Sequence, residues 1–217
     1  MYSRAVREEF IELTKKVVLD NAKVLEERAK GVLEEAEGLI NDAWKYDEVE
    51  DESMQLYVIG ILQPMAYRVY LDLLLGNLPA FFMELRLLLE SLACCYIAKI
   101  SLEDPSPGIA RSDVPASKIL REFSKATSLG NKPNELWSKL SNDWCHALKT
   151  TGKGSRGMLA KVIECLEKHS IPPSIPLFYG PFWEEASGLV NEAGKRLREF
   201  RQILRSAITP MLPEAPA

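Results

Sequence analysis

The chain has 217 residues, 47% of them hydrophobic and 27% charged, which suits a domain with a sizeable core and excludes a low-complexity or disordered polymer. A formal charge of −4 and a pI near 5.4 argue against a protein that binds nucleic acid over its whole surface. Charge is nevertheless uneven, with 15 acids against 8 bases in residues 1–52 and 10 Lys/Arg against 6 acids in residues 146–205.

Apolar residues recur at helical spacing almost everywhere, and no strand alternation is found. The expectation is an all-α bundle of about six or seven helices, at 3–47, 53–75, 79–101, 115–129, 133–148, 156–169 and 181–208. Residues 1–208 read as one domain and 209–217, "TPMLPEAPA", as a Pro-rich flexible tail.

The first predicted helix carries Val18, Ala22, Leu25, Ala29, Val32, Ala36, Leu39 and Ala43 in a 4-3-4-3 rhythm. Large residues and alanines each repeat every seven positions, the signature of a seam that faces a partner helix. The alanines remove bulk, so the partner backbone approaches toward the short end of the roughly 8–10 Å interaxial range. Two partners fit: another helix of the same chain, or the same helix of a second copy in a homodimer. An unbroken helix of about 45 residues would be about 70 Å long, too long for a compact domain of this size. It therefore bends near Gly31 or Gly38, or projects toward a second subunit.

"GNLP" at 76–79 is a helix-hairpin turn, because glycine ends one helix and proline suits the first turn of the next. The helix that follows is apolar around nearly its whole circumference, so it belongs at the centre. It still carries Glu84, Arg86 and Glu90. Arg86 and Glu90 are four residues apart on one face, and buried charges need partners. They form either a core-organising ion pair or part of a polar pocket inside the bundle. The apolar run 87–98 is too short, and too closely flanked by Arg86 and Lys99, to span a bilayer.

Cys94, Cys95, Cys145 and Cys165 sit within helical patterns rather than in a spaced disulfide framework, and charge begins at Arg4, with no signal-peptide pattern. Reduced thiols in a cytoplasmic protein are the expectation. In "LWSKLSNDWCHALK" (136–149), Leu136, Leu140, Trp144 and Leu148 form one stripe, and His146 lies one turn beyond Asn142 and Asp143. His146 is either a packed helix residue or a general acid–base group oriented by those neighbours. Cys145, His146, Cys165 and His169 offer two sulfurs and two nitrogens, but adjacent helical residues point about 100° apart and chelate poorly, so no metal is expected. No cofactor fingerprint is present either.

The loop "KTTGKGSRG" (149–157) lacks the phosphate-loop pattern and a preceding strand. Lys149, Lys153 and Arg156 are either plainly solvated or contacts for phosphates. The proline-rich 170–181 stretch cannot be helical. The last helix sets an apolar stripe, Leu197, Phe200, Leu204 and Ile208, beside a basic one, Arg198, Arg201 and Arg205, with Lys195 and Arg196 adding to it. That basic face is solvated, or docks on the acidic N-terminal helix of another subunit, or meets nucleic-acid phosphates.

Two stretches taken together, "LLLGNLPAFFMELRLLLESLACCYIA" with Arg86-x-x-x-Glu90, and "LWSKLSNDWCH" with Trp137, Leu140, Ser141 and His146, resemble an uncharacterised prokaryotic branch of the HEPN-like helical superfamily. The resemblance covers residues 68–148. It implies an α-helical bundle, homodimers, and in active members metal-independent RNA cleavage by an arginine and a histidine four intervening residues apart. In this chain His146 and the polar Asn142 match that frame, whereas Ser141 stands at the arginine position. Catalysis would need Arg86 to supply the missing charge beside phosphate. The resemblance therefore implies a homodimeric interaction or nucleotide/RNA-binding protein without catalysis, or an RNase using His146 with Arg86 and Glu90. A purely structural helical scaffold is the third reading of the same residues.

Overall fold

The computed structural model describes residues 4–103, 114–141, 179–181 and 183–213, and all the regular structure in them is helical. The elements are α1 (Arg4–Arg28), α2 (Lys30–Lys45), α3 (Glu52–Tyr57), α4 (Gln63–Leu74), α5 (Leu78–Glu103), α6 (Ala116–Ala126), α7 (Lys132–Leu140) and α8 (Trp183–Ile208). Short 3₁₀ turns follow α2 and α8, and a π-turn, Val58–Leu62, joins α3 to α4 in one continuous helical run. No described helix is long and apolar enough to cross a membrane.

The long N-terminal helix breaks two residues before Gly31, at Ala29, whose backbone leaves helical geometry at φ −146°, ψ 39°. Beyond the break α2 turns into the bundle and packs on both α4 and α8. Arg28, the last residue of α1, places its guanidinium 5.8 Å from the Trp183 ring centroid at the start of α8, a cation–aromatic contact that ties the elbow. The opening turns of α1 stand clear, with Phe10, Ile11 and Leu13 exposed.

The alanine seam is covered by the chain itself. Leu25, Ala29, Val32, Ala36, Leu39 and Ala43 are all buried in the main core, and Val18 and Ala22 lean on it. The close approach that small residues permit is real: a Cβ added to Gly194 of α8 would lie 2.7 Å from Val32 Cγ2. Intramolecular packing by α4 and α8 thus answers the question the heptad raised.

The α4–α5 hairpin closes as expected. Gly76 takes φ 68°, a conformation that costs glycine little. Gly76 N–H donates to the Leu73 carbonyl at 3.1 Å and Asn77 N–H to the Asp72 carbonyl at 2.8 Å, the paired bonds of a Schellman turn. Two further side chains serve carbonyls that a helix end leaves open. Asn21 Nδ2 donates to the Leu74 carbonyl at 2.9 Å, and the Tyr179 hydroxyl donates to the Leu73 carbonyl at 2.7 Å. Asn21 Oδ1 in turn accepts from Tyr179 N–H at 2.8 Å, so one fully buried amide joins α1, the end of α4 and the segment before α8.

As its composition predicts, α5 is central and touches α3, α4, α6, α7 and α8. The α6–α7 hairpin turns through Ser128 (φ 54°) and Gly130 (φ 62°) and lays Phe123, Leu136 and Leu140 into the core. Predicted and observed boundaries agree closely for α5, α6 and α8. For the predicted 133–148 helix, residues beyond 141 lie outside the described residues, as does the predicted 156–169 helix. After α8, Thr209–Met211 form a 3₁₀ turn, and Met211 and Leu212 rest against the core.

Candidate functional site

The helical spacing of Arg86 and Glu90 puts both on one flank of α5, where α7 crosses. Arg86 Nε donates to Glu90 Oε1 at 2.8 Å. Trp137, from the middle of α7, donates its indole N–H to the same oxygen at 2.5 Å. The Arg86 guanidinium carbon also sits 5.4 Å from the Trp137 ring centroid. The three side chains form a closed triangle of ion pair, hydrogen bond and cation–aromatic contact. Arg86 and Glu90 are each about one-fifth exposed, at 22% and 23% of their side-chain surface, so the pair is shielded but open to solvent on one side. Charge-assisted hydrogen bonds in that setting are stronger than their surface equivalents and hold the guanidinium in one orientation.

Beside the triangle runs an open groove lined by Met83, Glu84, Arg86, Leu87 and Glu90. Met83 and Leu87 are exposed on it, whereas Glu84 is buried. Arg68 of α4 brings Nη2 to 2.7 Å from Glu84 Oε1. Even so, neither buried oxygen takes a well-directed hydrogen bond. Burial first, and the neighbouring Asp72 carboxylate second, push Glu84 up to about 7, against the opposing pull of Arg68. Sequence alone marks Glu84 as a buried acid, but its closeness to Asp72 and Arg68 comes from the hairpin fold. Cys94, one turn beyond Glu90, is exposed at its surface, and its thiol is pushed up by partial burial and then by the Glu90 charge.

The two sequence elements quoted for the resemblance meet through these contacts. Trp137 reaches Glu90, Leu140 is fully buried, and Ser141 is buried with no partner for its hydroxyl among the described residues. His146, Lys149, Lys153 and Arg156 lie outside the described residues, as do Cys145, Cys165 and His169. Among the described residues no group of three or more His, Cys, Asp or Glu side chains is arranged to hold a metal ion.

Arg198, Arg201 and Arg205 are engaged elsewhere, with acids of α2 in the same chain. Arg201 is buried and donates from Nε to Asp42 Oδ2 at 2.8 Å and from Nη1 to Glu35 Oε2 at 2.6 Å. Arg198 Nε donates to Glu35 Oε1 at 2.8 Å, and Arg205 Nη2 donates to Asp42 Oδ1 at 3.1 Å. Burial alone would raise Glu35, but hydrogen bonds from Arg198 and Arg201 outweigh it and hold the carboxyl below its usual value. Hydrogen bonding to Asp42 raises Arg205. Gly38 makes the clamp fit: the Arg201 guanidinium lies where a Cβ on Gly38 would be, framed by Glu35 and Asp42. Of the three readings of this basic face, solvated, docked on the acidic helix of another subunit or set against nucleic-acid phosphates, the structure shows none unchanged: the acids it meets are Glu35 and Asp42 of its own chain. Arg196 is likewise paired within α8, to Glu192 and Glu199.

No protein-family model matches the sequence, and neither a curated protein nor a solved structure matches it.

Proposed function

We propose that this chain is a HEPN-like helical bundle that works without catalysis as an interaction protein and associates as a homodimer through the outer face of α5. The observation that carries the reading is the pair of half-exposed apolar side chains, Met83 at 56% and Leu87 at 50%, flanking the rigid Arg86–Glu90–Trp137 triangle. Exposed apolar side chains beside an oriented polar cluster are the composition of an interface core with its polar rim. Ser141 in place of arginine favours the non-catalytic branch, and so does the internal use of the α8 arginines. A cytoplasmic location goes with the reading.

Sedimentation velocity over a concentration series tests it. Wild type is expected to self-associate, and Leu87→Glu or Met83→Glu to sediment as monomer with unchanged helical circular dichroism. A wild type that stays monomeric throughout, or a Leu87→Glu variant that dimerises equally well, overturns the reading.

One observation favours a second reading, RNA or nucleotide contact at the same place. The Arg86 guanidinium held against the Trp137 ring offers a planar cation and an aromatic surface together, the parts that bind phosphate and stack a base. In its catalytic form this reading gives His146 the proton transfers, and Lys149, Lys153 and Arg156 the backbone phosphates. Cleavage of a labelled single-stranded RNA by wild type, lost in His146→Ala and Arg86→Ala, is the expected result. Equal rates in all three, or none in any, end the catalytic form. RNA binding unaffected by Arg86→Ala ends the binding form.

A further inference from the structure

A second face of the molecule, on the opposite flank of the α3–α4 run from α5, carries large apolar side chains. Contacts fix which flank this is: Gln63 Nε2 donates to Asp47 Oδ1 at 3.2 Å, and the Tyr67 hydroxyl accepts from Trp44 Nε1 at 2.9 Å, whereas Arg68 reaches across to Glu84 on the α5 side. Leu56, Ile59, Gln63 and Tyr67 follow one another at intervals of three and four along this flank, and Trp44 of α2 stands beside them. The exposures are high for such residues: Leu56 65%, Ile59 52%, Trp44 53% and Tyr67 49%. The π-turn Val58–Leu62 lies within the row, and such turns recur at functional positions because they re-aim side chains. The hydrogen bond between Trp44 and Tyr67 satisfies the polar atom of each ring against the other, so both aromatic surfaces are held in place for a contact.

Next to the row runs the sequence "DEVEDE" (47–52), five acids in six residues, with Lys45 the one base between Trp44 and Glu52. Asp47 and Asp51 have local duties, accepting from Gln63 and from Met54 N–H. Glu48, Glu50 and Glu52 are exposed, and no described cation pairs with them. The surface therefore joins a fixed apolar row, long enough for two helical turns, to a solvated block of negative charge.

We propose that this face docks a basic amphipathic helix from a partner protein. The partner's apolar residues at i, i+3/i+4 and i+7 lie along Leu56, Ile59, Tyr67 and Trp44, and its Lys/Arg side chains meet Glu48, Glu50 and Glu52. The observations specify the partner's chemistry. The aromatic and branched side chains call for an apolar stripe of helical period. The acids exclude a nucleic acid or an acidic helix, and select a basic one by attraction at encounter and repulsion of the wrong sign. The inference rests on reading the chain as an interaction protein but uses a face separate from α5, so the two respond to different substitutions.

Two synthetic 18-residue peptides test it, built on the same Leu stripe at helical spacing and flanked in one by Lys and in the other by Glu; each carries a dye for fluorescence anisotropy against the full chain. The Lys peptide is expected to bind, the Glu peptide not. Trp44→Ala and Ile59→Asp each weaken the Lys peptide by about tenfold or more, as anchor residues do. The triple variant Glu48→Gln, Glu50→Gln, Glu52→Gln weakens it and flattens its dependence on salt. Leu87→Glu leaves it unchanged, which separates this face from the α5 face. Circular dichroism of each variant confirms the fold. Failure of the Lys peptide to bind, equal binding of the Glu peptide, or insensitivity to Trp44→Ala and Ile59→Asp overturns the proposal. So does a self-association abolished by Ile59→Asp, which would show a second copy as the occupant.

Discussion

Trp137 of α7 donates its indole N–H to Glu90 of α5, 47 positions earlier in the chain, on the same carboxylate oxygen that accepts from Arg86. The contact holds α7 on the central helix and fixes the guanidinium at the same time. Trp137→Phe keeps the ring under Arg86 and removes only the donor. It is expected to cost about 1.5–3 kcal/mol in urea unfolding, the range for hydrogen bonds to charged groups. Arg86→Lys keeps the charge but loses the planar contact with the indole, and should lower stability less than Arg86→Ala.

Arg201 and Gly38 occupy one another's space, and Glu35 and Asp42 hold the guanidinium there. Gly38→Ala must displace the guanidinium from both acids, so it should destabilise by about 1–3 kcal/mol even though alanine favours helix. In the Arg201→Leu background the same substitution should cost much less. A double-mutant cycle by denaturant titration checks the coupling, and additive effects would contradict it.

Asn21 serves the Leu74 carbonyl and the Tyr179 amide at once, fully buried. Asn21→Ala strands both backbone groups, and each orphan costs about 1–3 kcal/mol. Asn21→Asp keeps the acceptor for Tyr179 but cannot donate to Leu74, and it buries a charge. It should therefore be at least as destabilising as alanine at neutral pH, measured by thermal unfolding.

Stability should depend on pH through Glu84. Its folded-state value is raised to about 7 from an ordinary 4.5, so the folded protein holds the proton more tightly. Its contribution is complete below the ordinary value and is lost as pH rises through about 7. Glu35 acts in the opposite sense: its lowered value contributes stability above the ordinary carboxyl range that is lost on acidification. Unfolding midpoints between about pH 5 and 8 should fall toward the alkaline end in wild type and flatten in Glu84→Gln. A slope unchanged in Glu84→Gln would assign it to another group.

The seam between α2 and its neighbours gives a prediction about assembly. Ala36 is fully buried by the chain itself, so Ala36→Leu should overpack the core and lower the unfolding free energy by about 1–3 kcal/mol at every protein concentration. Loss that appears only as a weakened dimer would place the seam between chains.

The sequence by itself determined the helical class and most of what lies inside. Periodicity marked the α2 seam and the central α5, and glycine and proline marked the α4–α5 turn, because burial patterns and backbone restrictions are local properties written every three or four residues. It also paired Arg86 with Glu90, since four residues on a helix make neighbours. It put a bend of the N-terminal helix near Gly31 or Gly38, and the break stands at Ala29, two residues before Gly31; the direction α2 then takes follows from docking on α4 and α8. Only the tertiary structure decided which partner each charge finds. Arg201 meets Glu35 and Asp42, more than 150 positions away, and Glu84 is raised by burial first and by Asp72 second, with Arg68 pulling the other way across a hairpin. Whether the alanine seam faced its own chain or another was equally beyond periodicity, because the same small side chains admit either backbone. The physical reason is common to all three: a helix face states what kind of surface it needs, and only the packed fold supplies the one that fills it.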